Sequence, residues 1–178
     1  MNDFFVCPIC AKKTIANIKN RRWECSNCGF ELYNNVATAV GLLIFNKDGK
    51  LLLEKRAKEP RKNFYAFPGG FVDFDESAEQ ACVRECQEEL GVTPFDLKYL
   101  CSFPNDYEYK KFDYKTCDLF FTAQLPDGVK FNLQETEVAG LEWFSVKDEK
   151  SIDEIPLAFE SAKRTLKFFL GRTKNGES

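Results

Sequence analysis

The chain has 178 residues, and its 25 basic and 28 acidic side chains give a net charge of −3. That length accommodates one full-sized domain with a buried core and a small additional module. The nearly balanced charge gives no electrostatic reason to expect a nucleic acid or an anionic membrane as a partner. No apolar run approaches the roughly 20 residues that a membrane-spanning helix requires, so a membrane location is not expected.

Two absences narrow the function and the location further. The chain contains no histidine, which excludes Ser-His-Asp and Cys-His catalysis, histidine phosphotransfer and any metal site that includes an imidazole. Its chemistry therefore has to use carboxylates, thiols, lysine, tyrosine or bound metal ions. The start of the chain lacks the basic segment followed by an apolar segment that characterises a signal peptide. We therefore expect a cytoplasmic protein.

The N-terminal segment carries four of the eight cysteines, in two C-x2-C pairs separated by fourteen residues. The four are Cys7, Cys10, Cys25 and Cys28. This spacing predicts a small zinc ribbon in which all four thiolates bind one Zn²⁺. Disulfides are the alternative, but a cytoplasmic chain seldom keeps them. Because no ligand position is left for water, the predicted zinc site is structural rather than catalytic.

A linker at Asn34 and Asn35 separates this ribbon from the rest of the chain. We therefore divide the chain into a zinc ribbon over residues 1–34 and a second domain over residues 35–172. The ribbon is more basic than the remainder, and Trp23 can stack on a base, which leaves contact with RNA or DNA open. A solvated basic surface is the favoured interpretation, so nucleic acid is not the expected partner.

The second domain interleaves apolar strands with helices. A buried strand is predicted over residues 38–45, followed by a short turn and a hairpin partner over residues 50–56. The remaining strands are predicted over residues 64–67, 93–103, 111–125 and 139–146. An aromatic connector is expected over residues 104–110, an amphipathic helix over about 156–170, and a disordered tail over 171–178. Strands and helices without strict βαβ periodicity predict an α/β fold with a mixed sheet between helices.

The best-defined element is a helix over residues 77–90. Ser77 and Gln80 have the spacing of a capping box, and Gly91 is suited to end the helix in a left-handed conformation. An acidic pair just before the cap lies at the positive end of the helix dipole. Local chemistry therefore predicts both ends of this helix.

Three glutamates crowd onto one face of this helix. Glu85, Glu88 and Glu89 are spaced i, i+3 and i+4, and like charges at such spacings destabilise a helix by roughly 0.2–0.5 kcal/mol per pair. A divalent cation reverses that effect, because carboxylate oxygens are the hard ligands that Mg²⁺ or Mn²⁺ prefers. For three glutamates alone, a solvated acidic surface is the alternative.

A wider pattern surrounds these glutamates. Its fixed positions, spread over 23 residues, are Gly70, Glu76, Arg84, Glu85, Glu88, Glu89, Gly91 and Val92. They match the Nudix box, and the chain resembles the Nudix hydrolase family here; Cys86, where the family usually has a larger aliphatic residue, departs mildly. A zinc ribbon directly before such a domain resembles the branch with NADH pyrophosphatase and related enzymes that act on FAD or ADP-ribose. The resemblance implies an α/β/α sandwich.

The resemblance also implies roles for individual residues. Glu85, Glu88 and Glu89 are expected to be catalytic ligands of Mg²⁺ or Mn²⁺, and one of them to orient or deprotonate the attacking water. Arg84 is expected to pair with a glutamate, such as Glu88 at i+4, rather than to bind phosphate. Glu76 is expected to stabilise the loop before the helix through backbone contacts, with a metal role as the alternative.

Residues outside the helix are expected to complete the site. Gly70, in a Pro-Gly-Gly turn, lets the backbone approach the substrate. Many family members draw a further acidic metal ligand from a later loop, for which Glu137 is the first candidate and Glu135 the second. Tyr107 and Phe112 are candidates for stacking on a base or a flavin, although aromatic residues beside a strand are more often packing residues.

The expected activity is that of a metal-dependent pyrophosphohydrolase, which cleaves a nucleoside diphosphate linked to another moiety and releases a nucleoside monophosphate. The NADH pyrophosphatase branch carries a Ser-Gln-Pro-Trp-Pro-Phe-Pro segment, whereas residues 102–107 here read SFPNDY, so the choice among NAD(H), ADP-ribose and FAD stays open. Hydrolysis of a modified nucleoside triphosphate is a second hypothesis. A non-catalytic protein that senses nucleotides or binds nucleic acid is a third. The sequence does not show the oligomeric state; because ribbon-bearing relatives are often homodimers, a homodimer stays an open alternative.

Overall fold

The computed structural model describes residues 4–110 and 112–174, with residue 174 described by its backbone alone. Within these residues the chain forms nine strands and three helices. The strands are β1 Ile15–Ile18, β2 Arg22–Cys25, β3 Glu31–Tyr33, β4 Ala37–Ile44, β5 Leu51–Arg56, β6 Tyr65–Ala66, β7 Phe95–Tyr109, β8 Phe112–Gln124 and β9 Val138–Phe144. The helices are α1 Ala78–Leu90, α2 Glu149–Asp153 and α3 Glu160–Lys174. None of these helices is long and apolar enough to cross a membrane.

The described strands form three sheets of three strands each. In the N-terminal segment, β2 lies between β1 and β3 and pairs antiparallel with both. In the second sheet, β8 lies between β4 and β7, parallel to β4 and antiparallel to β7. In the third sheet, β5 lies between β6 and β9 and is antiparallel to both. The prediction of a mixed sheet is therefore confirmed.

Helices cover both faces of the β-strand layer. Val40, Leu42 and Ile44 of β4 pack in one core cluster with buried residues of α1. Leu43, between them, packs in a second cluster with Leu166 of α3 and a residue of α2. Because successive side chains of a strand point to opposite faces, this alternation requires a helical layer on each side. The arrangement is the expected α/β/α sandwich, and it explains why β4 is apolar along its length.

The hairpin predicted between residues 38–45 and 50–56 is wrong. The predicted turn is present, closed by a hydrogen bond from Asn46 N–H to the Lys50 carbonyl and by a bridge between Phe45 and Leu51. Beyond it β4 and β5 belong to different sheets and do not pair as strands. One edge of β4 is occupied by β8, and the other is occupied by the loop before α1. Both partners are distant in sequence, so a turn signal between β4 and β5 carries no information about them.

The connector predicted over residues 104–110 is also wrong, because nearly all of that segment extends β7. Pro104 is tolerated there since β7 is an edge strand, where a missing N–H costs no ladder hydrogen bond to a further strand. The tail prediction is wrong for residues 171–174, which continue α3, while residues 175–178 lie outside the described residues. Residue 111, the predicted start of β8, also lies outside them.

The helix α1 begins and ends as predicted. Gln80 N–H donates to Ser77 Oγ (3.3 Å), and Ser77 N–H donates to the side chain of Gln80 (2.8 Å). Gly91 has φ of 69°, in the left-handed region, and its N–H donates to the Gln87 carbonyl. The capping box and the terminal glycine are therefore confirmed. They set the position of the three glutamates along the helix.

Candidate functional site

The four cysteines of the N-terminal segment converge on one point. Their sulfur atoms all lie within 4.8 Å of one another. The Cys7 and Cys28 sulfurs are 3.7 Å apart, as are those of Cys10 and Cys25, and none of them forms a disulfide. A tetrahedral zinc with Zn–S bonds of about 2.3 Å requires sulfurs about 3.8 Å apart. The four thiols therefore fit Zn²⁺ in number, chemistry and spacing.

The same local backbone geometry builds both halves of this cysteine cluster. Ala11 N–H donates to the Cys7 carbonyl, and Gly29 N–H donates to the Cys25 carbonyl, each at 2.9 Å. Ala11 and Gly29 both have positive φ, which closes each turn tightly around its pair of thiols. The Thr14 hydroxyl, 3.2 Å from the sulfur, is the main cause that lowers the pKa of Cys25 to about 6. The lowered pKa favours the thiolate form of Cys25.

A second candidate site begins at the loop before α1, which lies along the free edge of β4. Val40 N–H donates to the Gly70 carbonyl (2.8 Å), and Val72 N–H donates to the Thr38 carbonyl (3.0 Å). At Gly69, φ is +143° and an added Cβ would lie 2.2 Å from the Val40 carbonyl oxygen. Only glycine fits there, because the backbone is strained for other residues and no space remains for a side chain.

The loop also brings its backbone against the glutamates of α1. A Cβ on Gly70 would lie 2.4 Å from Oε1 of Glu85. Gly69 N–H donates to Oε2 of Glu89 at 2.8 Å. The Pro-Gly-Gly backbone therefore lies against this pair of carboxylates, and its approach to a substrate stays a prediction.

Arg84 is the cation that joins Glu85 to two other carboxylates, those of Glu76 and Glu88. Its guanidinium donates to Glu76 (Nη2 to Oε1, 2.6 Å), to Glu85 (2.9 Å) and to Glu88 (3.2 Å). It also donates to the Phe71 carbonyl at 2.9 Å, which ties the loop to the helix. The predicted pairing with Glu88 is present, and the contacts with Glu76 and Glu85 are additional. Hydrogen bonds from Arg84 lower the pKa of Glu76.

Glu76 acts on the loop as the sequence predicted. Its Oε1 accepts a hydrogen bond from Asp73 N–H at 2.8 Å. Its side chain faces Arg84 and lies outside the pocket described below. Glu76 therefore joins the loop to the guanidinium of Arg84.

The three α1 glutamates differ sharply in burial. The Glu88 side chain is 53% exposed and that of Glu85 is 13% exposed, whereas Glu89 as a residue is 4% exposed. Burial raises the pKa of Glu85, against the opposing influence of Arg84. Burial also raises the pKa of Glu89 to about 8, although Gly69 N–H acts in the opposite direction. The carboxyl of Glu89, the deepest of the three, therefore holds its proton to a higher pH than an ordinary glutamate does.

Glu54 is a site residue that the sequence analysis missed. It lies on β5, is 2% exposed and contacts the carboxyl of Glu89. Burial, followed by the charge of Glu89, raises the pKa of Glu54 well above its ordinary value. Its Oε2 has no hydrogen-bond donor within the described part of the chain, so a shared proton or a cation would stabilise it. The only sequence signal was a carboxylate directly after three buried leucines.

The three α1 glutamates line a pocket of about 310 Å³. Glu85, Glu88, Glu89 and Glu137 contribute to its wall, so α1 and the later loop meet as expected. The Glu137 carboxylate is 2.5 Å from Nζ of Lys58, which also lines the pocket. Four carboxylates with one orphaned buried oxygen behind them are of the chemical type that Mg²⁺ or Mn²⁺ binds, although among the described residues only the four cysteines already bring their ligand atoms together.

The structure brings most, but not all, of the other predicted residues to this pocket. Gly70, Arg84 and Tyr107 belong to its wall. Phe112 and Glu135 do not belong to it. Phe112 is 49% exposed and pairs with Tyr109 at the far end of the β7–β8 hairpin. Of the two predicted aromatic residues, Tyr107 therefore lies at the pocket and Phe112 does not.

The comparison with protein families identifies the class of this chain. A model of the NUDIX domain matches residues 36–167, and the chain therefore belongs to the NUDIX family. A NUDIX hydrolase from Nitrosomonas europaea has a similar structure, with a TM-score of 0.69 at 22% identity over 98% of this chain and 94% of that one. That likeness confirms the fold.

Two relatives in sequence have named activities of their own. The chain is 28% identical over 152 residues to the NAD-capped RNA hydrolase NudC of Haemophilus influenzae strain PittGG, covering 84% of this chain and 54% of that protein. It is 48% identical over 65 residues to an ADP-ribose pyrophosphatase of Methanocaldococcus jannaschii, covering 36% of this chain and 38% of that protein. This chain thus matches about half the length of NudC, and less of the pyrophosphatase.

Proposed function

We propose that this protein hydrolyses the pyrophosphate linkage of a nucleoside diphosphate joined to another moiety, of the NAD(H), ADP-ribose or FAD type, and releases a nucleoside monophosphate. The observation that carries the proposal is the pocket in which four carboxylates and Arg84 meet the backbone of Gly69 and Gly70. The names of the two sequence relatives, an ADP-ribose pyrophosphatase and an NAD-capped RNA hydrolase, support it.

In this proposal Glu85, Glu88, Glu89 and Glu137 hold one or more Mg²⁺ or Mn²⁺ ions. A bound divalent ion supplies charge neutralisation at the phosphate oxygens and lowers the pKa of a ligated water. Metal ligation requires a carboxylate, so Glu89 has to release the proton that burial lets it keep. The Glu54 carboxyl keeps its own proton and is positioned to donate a hydrogen bond to the Glu89 carboxylate once that carboxylate forms.

The remaining residues position these carboxylates. Arg84 donates to Glu85 and Glu88 and restrains their side chains, while Gly69 N–H orients Glu89. Glu76 links the loop to Arg84, so the backbone of Gly70 stays close to the carboxylates. Preorganisation of this kind reduces the rearrangement that substrate binding would otherwise require.

We infer that the four-cysteine cluster holds a structural Zn²⁺, because its thiols match a closed tetrahedral site. Its sheet is too small to bury a core of its own, so the metal would supply much of its folding free energy. Because the cysteine cluster has its own small sheet, we also propose the division into a ribbon over residues 1–34 and a hydrolase domain over residues 35–172. A homodimer and a cytoplasmic location stay predictions.

The test is a substrate panel with either metal, in which phosphate is measured after coupling to a phosphatase. The panel contains NADH, NAD⁺, ADP-ribose, FAD, diadenosine polyphosphates, 8-oxo-dGTP and an RNA with a 5′ NAD cap. AMP released from a dinucleotide or from ADP-ribose would support the proposal and identify the substrate. Preference for 8-oxo-dGTP would instead favour a triphosphate hydrolase, and no turnover with either metal would favour a non-catalytic nucleotide sensor.

Glu88→Gln tests the metal ligands within this assay. Because the Glu88 side chain is 53% exposed, the substitution should leave the fold intact while it lowers kcat/KM by about 100-fold or more. Glu79→Gln is the matched control, since Glu79 is an exposed glutamate on the same helix. Wild-type turnover in Glu88→Gln would remove Glu88 from the catalytic set.

A further inference from the structure

A second buried carboxylate lies in the pocket, away from the α1 glutamates. Asp118, on β8, is 8% exposed and belongs to the pocket wall. The Thr116 hydroxyl donates to its Oδ1, and the Ser161 hydroxyl of α3 donates to its Oδ2, each at 2.6 Å. Both hydroxyl residues are themselves buried and also line the pocket.

The two hydroxyls satisfy only half of what this carboxylate can accept. Within residues 4–110 and 112–174, no lysine or arginine nitrogen forms an ion pair with Asp118. A carboxylate has about four lone-pair positions, so each oxygen of Asp118 keeps one for a further donor. A buried charge that lacks a cation is costly unless hydrogen bonds surround it. Asparagine could join β8 to α3 at lower desolvation cost, so a purely structural role does not account for the charge.

The surroundings of Asp118 suit the organic part of a nucleotide. Asn105 and Tyr107 of β7 and Phe159, directly before α3, line the same part of the pocket. Tyr107 and Phe159 have ring centroids 5.6 Å apart, and burial raises the pKa of Tyr107. Arg56 lies 5.2 Å over the Phe159 ring and gives this wall a positive charge. Apolar walls with a few placed polar groups are typical of small-molecule sites.

The separation between β8, which carries Asp118, and the loop that contains Gly70 suits the length of a nucleoside. β8 and the loop that contains Gly70 lie on opposite edges of β4. Two interstrand spacings of about 4.8 Å separate them by about 10 Å, which is comparable with the length of a nucleoside. A substrate whose diphosphate lies at the α1 glutamates can therefore extend its nucleoside across β4 to Asp118.

We propose that Asp118 is a specificity-determining residue that accepts paired hydrogen bonds from two adjacent donors on the nucleoside of the substrate. This inference rests on the proposed function for the class of substrate. The paired donors are either the 2′- and 3′-hydroxyls of a ribose or the ring N–H and amino group of a guanine, since both present two donors side by side to a carboxylate. Thr116 and Ser161 hold the carboxylate in the orientation that receives them.

Calorimetric titration of the full chain, without added divalent metal, tests the proposal independently of turnover. The probes are two pairs: AMP against 2′-deoxy-AMP, and GMP against IMP, which lacks the 2-amino group. The wild type should prefer the complete member of one pair by about tenfold or more, as expected for a hydrogen bond to a charged group. Preference within the first pair identifies the ribose as the donor source, and preference within the second identifies the base.

Asp118→Asn should remove that preference, because its amide presents one donor and one acceptor in place of two acceptors. Asp113→Asn, an exposed position on the same strand, should keep it. Ser161→Ala, which removes one of the two hydroxyls that hold Asp118, should reduce it by about threefold or more, and it replaces Asp118→Asn if that variant does not fold.

Three results would overturn the proposal: no preference within either pair for the wild type, an unchanged preference in folded Asp118→Asn, or an unchanged preference in Ser161→Ala. Failure of the proposed function is a different result, because it appears as silence in the turnover panel while the binding preference persists. A raised KM with unchanged kcat in Asp118→Asn would support the proposal in an active enzyme.

Discussion

Replacing Glu54 with glutamine should flatten the dependence of stability on pH. Glu54 and Glu89 contact each other and are 2% and 4% exposed. Burial raises the pKa of Glu54 well above 4.5 and raises that of Glu89 to about 8. In the unfolded chain both carboxyls titrate near their ordinary value of about 4.3. Between about pH 5 and 8 the folded state therefore keeps protons that the unfolded state has lost, and the free energy of unfolding falls as pH rises.

The size of the effect follows from the number of retained protons. Each one contributes a slope of about −1.36 kcal/mol per pH unit. The wild type has two such carboxyls, whereas Glu54→Gln has one, and its amide can donate to the Glu89 carboxylate. Wherever folded Glu54 keeps its proton above its unfolded pKa, the free energy of unfolding should therefore fall by up to about 1.4 kcal/mol per pH unit more in the wild type than in the variant.

The assay is urea unfolding followed by circular dichroism, without added Mg²⁺ or Mn²⁺, at several pH values between about pH 5 and 8. Titration of the cysteine cluster affects both proteins equally and cancels in the difference. Glu135→Gln is the matched control, because Glu135 is exposed and its loss should leave the wild-type slope unchanged. Parallel pH curves for the wild type and Glu54→Gln would refute the conclusion that Glu54 keeps a proton in the folded state.

Two further substitutions test the loop and the cysteine cluster. Gly69→Ala should lower the free energy of unfolding by at least about 2 kcal/mol, because the added Cβ meets the Val40 carbonyl at 2.2 Å. Gly140→Ala, with nothing within 4 Å of its Cβ, should change it by less than about 1 kcal/mol. Equal effects of the two substitutions in urea unfolding would contradict the conclusion that a side chain at position 69 is strained. Cys25→Ser should lower the zinc content of the purified protein well below one equivalent per chain, whereas Cys117→Ser should not; full zinc content in both would exclude the four-cysteine site.

Local chemistry accounts for the features that could be predicted from the sequence. Ser77 caps the start of α1 by pairing with Gln80, and Gly91 caps its end by donating to the Gln87 carbonyl. Each contact joins residues at most four positions apart, so the residue types suffice to place the helix. The two C-x2-C pairs could be predicted for the same reason, because each pair lies in a turn that its own neighbouring residues form. The spacing of Glu85 and Glu88 on one face follows directly from the helix they occupy.

Tertiary structure decided the pairings between distant segments. The turn between β4 and β5 suggested a hairpin, but β4 pairs with β8 and with the loop before α1 instead. Glu54 meets Glu89 across 35 residues, and Asp118 meets Ser161 across 43. The apolar side chains of β4 do not indicate which segment pairs with which edge of the strand, since both of its faces are buried alike.

The sequence by itself therefore determined the helix with its glutamates, the cysteine cluster and the mixed α/β class, because these depend on residue types at short, regular spacings. Only the tertiary structure decided which carboxylates are buried, which are paired, and which residues face the pocket. Burial and pairing depend on what the rest of the chain packs against a side chain. That environment sets the cost of a charge at Glu54, Glu89 and Asp118.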